Sequence, residues 1–207
     1  MNLRIQIFLV IFASLTLGCW EVPNVAKPKS DVEKKVTLNA TLDAEAYSIY
    51  SIVIDDVYNT RADSVLIYNQ TTTFSLPYKN LEEALANLNK RLPNRIEDGI
   101  LQDFLNNNKT PKFLEKRFNT RVSYSLVSKQ YLNSLFEKRN GWNEFLRQHP
   151  GSSIINFSRV GLNPSKDKAL VYTNIYRGAR SGRSYYIILI KENHKWTINR
   201  KIDAGVS

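Results

Sequence analysis

Three arginines follow one another at intervals of three near the end of the chain, and tyrosines flank them. Arg177, Arg180 and Arg183 stand between two strand-like runs, with Tyr176 before them and Tyr185 after them. A guanidinium group binds phosphate or carboxylate through two parallel hydrogen bonds, and Arg and Tyr dominate binding surfaces. The pattern predicts a basic hairpin that binds an anionic partner. The alternative interpretation is a basic turn that is merely solvated.

Asp55 and Asp56 are adjacent acidic residues in an otherwise apolar helical segment. In a cone-shaped domain one of them could project into the cavity as a general base, which would make the protein an enzyme of the isomerase, hydratase or hydrolase type. Adjacent helical residues point about 100° apart, so the two cannot share a proton on one face. The alternative is that they form the polar edge of the helix, bonded to a loop or paired with an arginine. The catalytic residues are otherwise unknown.

Metal and cofactor sites are not indicated by the remaining polar residues. His149 and His194 lie in turn-rich segments without a second ligand at metal-binding spacing, and the chain has one cysteine. The sequence contains no Gly-x-Ser-x-Gly, Walker or Gly-x-Gly-x-x-Gly motif. We therefore expect no metal and no cofactor, and the familiar types of hydrolase and nucleotide enzyme are disfavoured.

The composition is that of a globular protein with an excess of positive charge. Among 207 residues, 29 Lys or Arg outnumber 19 Asp or Glu, which gives a formal net charge of +10. Hydrophobic residues make up 43% and charged residues 23%. These proportions exclude a wholly disordered chain and a multi-span membrane protein. We expect a single domain over residues 42–207.

The first residues have the layout of a secretory signal peptide. Arg4 precedes an apolar run over residues 5–17, and Gly18 and Cys19 follow it. The run is too short to cross a bilayer as a helix, which needs about 20 residues. The sequence therefore predicts a signal peptide over residues 1–18. Its removal would delete one basic residue, leaving 28 basic and 19 acidic residues and a net charge of 28 − 19 = +9.

Residues 15–19, Leu-Thr-Leu-Gly-Cys, resemble the lipobox of bacterial lipoproteins, although Thr16 and Leu17 are exchanged relative to the usual order. In that family the chain is cut before the cysteine, and the thiol and the new amino terminus are acylated. The resemblance implies that Cys19 carries palmitate-type acyl chains and anchors the protein in a cell-envelope membrane. No aspartate follows the cysteine directly, which implies the outer membrane. The alternative is a soluble secreted protein. Residues 19–41 are predicted to form a flexible tether.

Helices and strands alternate through the middle of the chain. Apolar residues at helical spacing predict a helix over residues 43–59. Further helices are expected over residues 81–92, 96–107, 129–138 and 142–147, with a short helical turn at 111–117. Ser128 is placed to cap the helix over 129–138. Strands are expected over residues 64–70 and 121–127.

The last quarter of the chain changes to strand periodicity. Four strand-like runs, over residues 153–160, 168–176, 184–191 and 195–202, are separated by turn-rich segments and predict an antiparallel meander. The two middle runs are apolar on both faces, so the helix over 43–59 must cover one face. The expected fold class is α+β, with a long N-terminal helix and several short helices on a curved antiparallel sheet. A cystatin-like or cone-like architecture is one form of it.

Several segments resemble a family of uncharacterised bacterial secreted proteins. The resemblance is carried by residues 46–73, 158–163, 169–172, 185–189 and 195–196, and it implies a lineage but no activity. Members of that family often carry cysteines in the hairpin that residues 177–183 form here, so a disulfide at that place is absent. The long first helix and final meander are also similar to cystatin-like and nuclear-transport-factor-like domains. Those folds contain isomerases, hydratases and plain binding modules, and select no function.

These features together predict an envelope lipoprotein that acts as a binding or structural module. The expected partners are the membrane, through the lipid anchor, and an anionic lipid, a glycan or an acidic protein, through the basic hairpin. Nucleic acid is not expected as a partner because the predicted location is the cell envelope. The alternative function is a cone-fold enzyme with a buried carboxylate.

Overall fold

The computed structural model describes residues 44–57, 64–73, 83, 86, 90 and 96–206. The predicted signal peptide, Cys19 and the tether lie outside the described residues. Within the predicted helix over 81–92, the described residues 83, 86 and 90 are helical.

The first helix, α1 (Ala44–Val57), forms where the amphipathic pattern predicts it. Its apolar side chains are buried against one face of a β-sheet, which removes them from water and accounts for most of the stability of such a helix. Tyr50 is fully buried, and its hydroxyl donates a hydrogen bond of 2.8 Å to the carbonyl of Ser158. The helix is therefore held by both apolar burial and a satisfied polar group.

The other helices and the strands agree closely with the sequence pattern. Among the described residues, the further helices whose bounds are defined are α2 (Asp98–Asn107), α3 (Lys129–Phe136) and α4 (Gly141–Gln148). The strands are β1 (Ser64–Tyr68), β2 (Ser123–Val127), β3 (Ser152–Phe157), β4 (Gly161–Leu162), β5 (Lys168–Tyr176), β6 (Gly182–Glu192) and β7 (Lys195–Val206). The predicted cap of α3 is confirmed, because the Ser128 hydroxyl accepts a hydrogen bond of 3.1 Å from the backbone N–H of Tyr131.

The strands form a mixed sheet in the order β2-β1-β3-β5-β6-β7, with β4 paired to β5. Strands β3, β5, β6 and β7 pair antiparallel and confirm the predicted meander. Strand β1 pairs in parallel with both β2 and β3. Helical segments connect β1 to β2 and β2 to β3. The chain therefore enters all three strands in the same direction, as parallel pairing requires. The α+β class and the curved sheet are confirmed, while the sheet is mixed and not wholly antiparallel.

Helices cover both faces of the sheet. On one face, α1 packs on a core that includes Ile155, Val171 and Ile187. On the other face, α2 packs on Leu170 and Ile202 of β5 and β7. Helices α3 and α4 also cover that second face, over β1 and β3. The hairpin between β5 and β6 lies at one end of the sheet. One side of the hairpin therefore adjoins the face that α1 covers, and the other side adjoins the face that α3 and α4 cover.

The chain between β3 and β5 is locked to α2 by a close backbone approach. A Cβ atom on Gly161 would lie 2.5–2.6 Å from backbone and Cβ atoms of Phe104. The Asn108 side chain accepts a hydrogen bond of 2.6 Å from the N–H of Arg159 and donates one of 3.0 Å to the Arg159 carbonyl. Only glycine leaves room for this contact at position 161.

The predicted helical turn at residues 111–117 is wrong. Phe113 instead forms a β-bridge with Gln70, and the N–H of Leu114 donates to the carbonyl of Asn69 over 2.8 Å. Leu114 is buried in the core beneath α1. Pairing with the chain that follows β1 satisfies the backbone of this segment in place of helical hydrogen bonds.

We predict that Gly161→Ala destabilises the protein. The added methyl group must displace the α2 backbone, and overpacking of this kind costs about 1–3 kcal/mol. For a domain of this size each kcal/mol lowers the Tm by about 2–4 °C. Gly178→Ala is the matched control, because the nearest atom to its Cβ would be 3.9 Å away. Thermal unfolding followed by circular dichroism measures both variants, and equal Tm values would contradict the close contact.

Candidate functional site

The hairpin between β5 and β6 gathers cationic side chains around a pocket of about 200 Å³. The residues that define this basic pocket are Arg177, Arg180, Ser181, Arg183, Tyr185 and Lys201. Two backbone hydrogen bonds close the turn. The N–H of Arg177 donates to the Ser181 carbonyl over 2.9 Å, and the N–H of Ser181 donates to the Gly178 carbonyl over 3.2 Å. Val57, the last residue of α1, lies on the wall. The pocket thus forms where the end of α1 meets the end of the sheet.

The cations of the pocket differ in how they are held. Arg177 donates through Nη2 to the carbonyl of Val57 over 3.2 Å. The last turn of α1 contains no basic residue of its own, so Arg177 supplies the positive charge that favours a helix C-terminus. Arg183 forms an ion pair with Asp203, in which Nη1 lies 3.5 Å from Oδ2, and both side chains are more than half exposed. Arg180 is exposed and makes no hydrogen bond or ion pair with the residues that the structure describes.

Lys201 is a member of the site that the sequence pattern did not single out. It is paired with Ile187 of β6 and therefore lies on the same face of the sheet as α1. Its ammonium group donates to Asp56 over 2.6 Å and stands 5.6 Å from the centre of the Tyr185 ring. The alternation of β7 could have indicated its face, but only the pairing of β6 with β7 brings it to the hairpin.

The pocket is lined by cations, and two of these cations pair with carboxylates. Of the four cations, Arg183 pairs with Asp203 and Lys201 pairs with Asp56. Exposed ion pairs of this kind are weak, so an incoming anion can compete for Arg183 and Lys201. Arginine side chains, an ammonium group and the Ser181 hydroxyl can all donate hydrogen bonds to a phosphate or a carboxylate. The arrangement can therefore bind a small anionic group.

Tyr176 does not join the other predicted binding residues. It belongs to the opposite face of β5, where it lines a second pocket with Tyr68, Phe136 and Trp142. Because successive strand residues point to opposite faces, the tyrosine next to Arg177 cannot share the wall that Ile175 forms. Of the predicted set, the structure brings Arg177, Arg180, Arg183 and Tyr185 together.

Asp55 is occupied in holding a neighbouring loop. Its carboxylate accepts hydrogen bonds from the Thr120 hydroxyl over 2.6 Å and from the N–H of Arg121 over 2.9 Å. Arg121 also approaches the second oxygen through Nε at 3.4 Å. Asp56 is partly exposed and pairs with Lys201. These contacts support the interpretation of both residues as the polar edge of α1.

The two histidines lie in connecting segments outside the helices and strands. His149 follows α4, and its Nε2 lies 2.7 Å from the Tyr131 hydroxyl. His194 is exposed in the turn between β6 and β7, with a φ of 62°. Among the residues that the structure describes, no three His, Cys, Asp or Glu side chains are grouped as a metal ion requires.

No protein-family model, curated protein or solved structure matches the chain. The resemblance to uncharacterised bacterial secreted proteins therefore stays a prediction. In the part of the chain that the structure describes, no helix is both long and apolar enough to cross a membrane.

We predict that Asp56→Asn strengthens anion binding at the basic pocket. Removing this carboxylate releases Lys201 and makes the charge beside the pocket more positive by one. Because an exposed ion pair contributes about 0.2–1 kcal/mol, the affinity for inorganic tripolyphosphate should rise by roughly 1.4- to fivefold. Isothermal titration calorimetry at low salt measures the effect. Glu115→Gln removes one negative charge from a site beside Tyr47, near the other end of α1, and is the control. A gain equal to that of the control would contradict the assignment of Asp56 to the pocket.

Proposed function

We propose that this chain is a lipid-anchored protein of the bacterial cell envelope that binds an anionic partner through the basic pocket. The observation that carries the proposal is the convergence of Arg177, Arg180, Arg183 and Lys201 on one pocket, with two partly exposed carboxylates beside them. Clustered donors of one sign attract an opposite charge and orient it.

Several features of the pocket favour binding over catalysis. Its donors are arginines, a lysine and a serine on the β5–β6 hairpin and on β7, and its remaining wall is formed by Val57, Ile175, Gly182 and Tyr185. The two acidic candidates, Asp55 and Asp56, are engaged with a loop and with Lys201. A charged pocket whose nearby carboxylates already have partners is suited to holding an anion without transferring protons.

The proposed anchor precedes the described domain in the chain. Acylated Cys19 would hold the protein at the membrane, and residues 19–41 are proposed to form a flexible tether. The proposed partner of the basic pocket is an anionic lipid, a glycan or an acidic protein. The proposed location is the outer membrane, with a secreted soluble protein as the alternative.

The binding role is tested with paired arginine variants. Arg180→Gln/Arg183→Gln should weaken tripolyphosphate binding about tenfold or more, because a charge-assisted hydrogen bond contributes about 1.5–3 kcal/mol. Arg177 is left unchanged because it also caps α1. Lys116→Gln/Lys195→Gln removes the same charge from exposed positions outside the pocket and should retain most of the affinity. Equal losses of affinity in the two double variants would show that only net charge matters, and would refute anion binding at the basic pocket.

The anchor is tested by metabolic labelling of the full chain with a radioactive or alkyne-bearing palmitate. We expect label on the wild-type protein and its disappearance in Cys19→Ser, because the cysteine thiol is the acyl acceptor. The variant should also move from the membrane fraction to the soluble fraction. Undiminished labelling of Cys19→Ser, or a mature amino terminus at another residue, would overturn the lipoprotein assignment.

A further inference from the structure

A second pocket lies on the other side of the hairpin that forms the basic pocket. This aromatic pocket has a volume of about 240 Å³ and is lined by Tyr68, Phe136, Trp142, Ile154, Tyr176 and Ala179. Ile175 faces the basic pocket and Tyr176 faces the aromatic pocket, because neighbouring residues of β5 point to opposite sides. One short turn thus separates a cationic pocket from an apolar one.

The walls of the aromatic pocket are held by the packing beneath them. The ring centroids of Phe136 and Trp142 lie 4.8 Å apart. The Trp142 and Phe145 rings pack edge to face, with their centroids 5.5 Å apart. Phe145 is fully buried between α4 and the sheet, so it fixes the orientation of Trp142. Burial raises the pKa of the Tyr68 hydroxyl, and the neighbouring Tyr176 adds to that rise. The pocket is therefore a preformed and mainly aromatic space that favours an apolar group.

Positive charge borders the aromatic pocket on two sides. Lys138 and Arg139 line an adjoining pocket that shares Phe136, Trp142 and Ala179 with it. On the hairpin, Ala179 of the aromatic pocket is followed directly by Arg180 of the basic pocket. An apolar group bound here would therefore be favoured if the same molecule also carried a negative charge.

We propose that the two pockets bind one anionic amphiphile, with its phosphate in the basic pocket and its apolar chain across Ala179 in the aromatic pocket. This inference rests on the proposed function and deepens it by naming the class of ligand. The ligand chemistry is that of a phosphate monoester or diester attached to an acyl chain, as in an anionic phospholipid. The phosphate supplies acceptors for Arg180 and Arg183, and the chain gains from leaving water.

The experiment compares three ligands by isothermal titration calorimetry, each below its micelle concentration. Dihexanoyl phosphatidic acid carries both the phosphate and the chains, glycerol 3-phosphate carries the phosphate alone, and dihexanoyl phosphatidylcholine carries chains with a neutral head. We expect phosphatidic acid to bind at least about tenfold more tightly than either of the others, since several methylene groups become buried.

Ala179→Phe fills the aromatic pocket from an exposed position of the hairpin, which allows the fold to be retained. It should reduce the affinity for phosphatidic acid to that for glycerol 3-phosphate and leave glycerol 3-phosphate binding unchanged. Thr197→Phe adds the same ring at an exposed position of β7 outside both pockets and should leave all affinities unchanged.

The outcomes separate this inference from the proposed function. Equal affinity for phosphatidic acid and glycerol 3-phosphate in the wild-type protein would overturn the role of the aromatic pocket, while the basic pocket would stand. If Ala179→Phe bound phosphatidic acid with the wild-type affinity, the role of the aromatic pocket would likewise be overturned. If Arg180→Gln/Arg183→Gln bound glycerol 3-phosphate as well as wild type, the proposed function itself would fail. Equal binding of phosphatidylcholine and phosphatidic acid would overturn the requirement for an anionic head.

Discussion

The packing of α1 on the sheet is the interaction on which the rest of the described structure depends. Its buried face joins side chains from β1, β3, β5 and β6 in one core, which includes Val65, Ile155, Val171 and Ile187. Because α1 crosses several strands, it fixes their mutual arrangement as well as its own. The energy of this contact comes mainly from removing apolar surface from water. The fully buried Tyr50 also fixes the position of the helix, because its hydroxyl requires a hydrogen-bond acceptor and has one in the Ser158 carbonyl.

The polar edge of α1 organises the chain that leads into β2. Tyr47, Ser51 and Asp55 follow one another at intervals of four and therefore lie along one side of the helix. Their side-chain oxygens accept backbone hydrogen bonds of 2.7, 2.9 and 2.9 Å from Glu115, Asn119 and Arg121, respectively. An irregular segment is thus given partners for its backbone N–H groups. This explains why the acidic residue at position 55 is needed for structure.

The same helix also contributes to the candidate site. The carbonyl of Val57 receives Arg177, and Asp56 holds Lys201, so the C-terminal end of α1 positions two of the four pocket cations. The other two cations, Arg180 and Arg183, extend from the hairpin itself. The site therefore combines two cations that contact the end of α1, Arg177 and Lys201, with two that extend from the hairpin toward a ligand, Arg180 and Arg183. The two-sided hairpin places an aromatic surface directly behind them.

Local periodicity was sufficient to predict α1, the C-terminal meander, the Ser128 cap and the position of the arginine cluster. These features depend on residues that are close in sequence, where helical and strand spacing are directly visible. The parallel pairing of β1 with β2 and β3, the bridge of Phe113 to Gln70, and the place of Lys201 in the pocket could not be read in this way. Each of them joins segments that are far apart in the chain. The separation of Tyr176 from Tyr185 depended on the register of β5 with β6, which pairs Tyr185 with Thr173. Which side is cationic and which is aromatic depended on where α1, α3 and α4 packed. The sequence by itself thus determined the elements and the charge of the hairpin, while the tertiary structure decided which side chains meet there, because burial selects among the many pairings that local pattern allows.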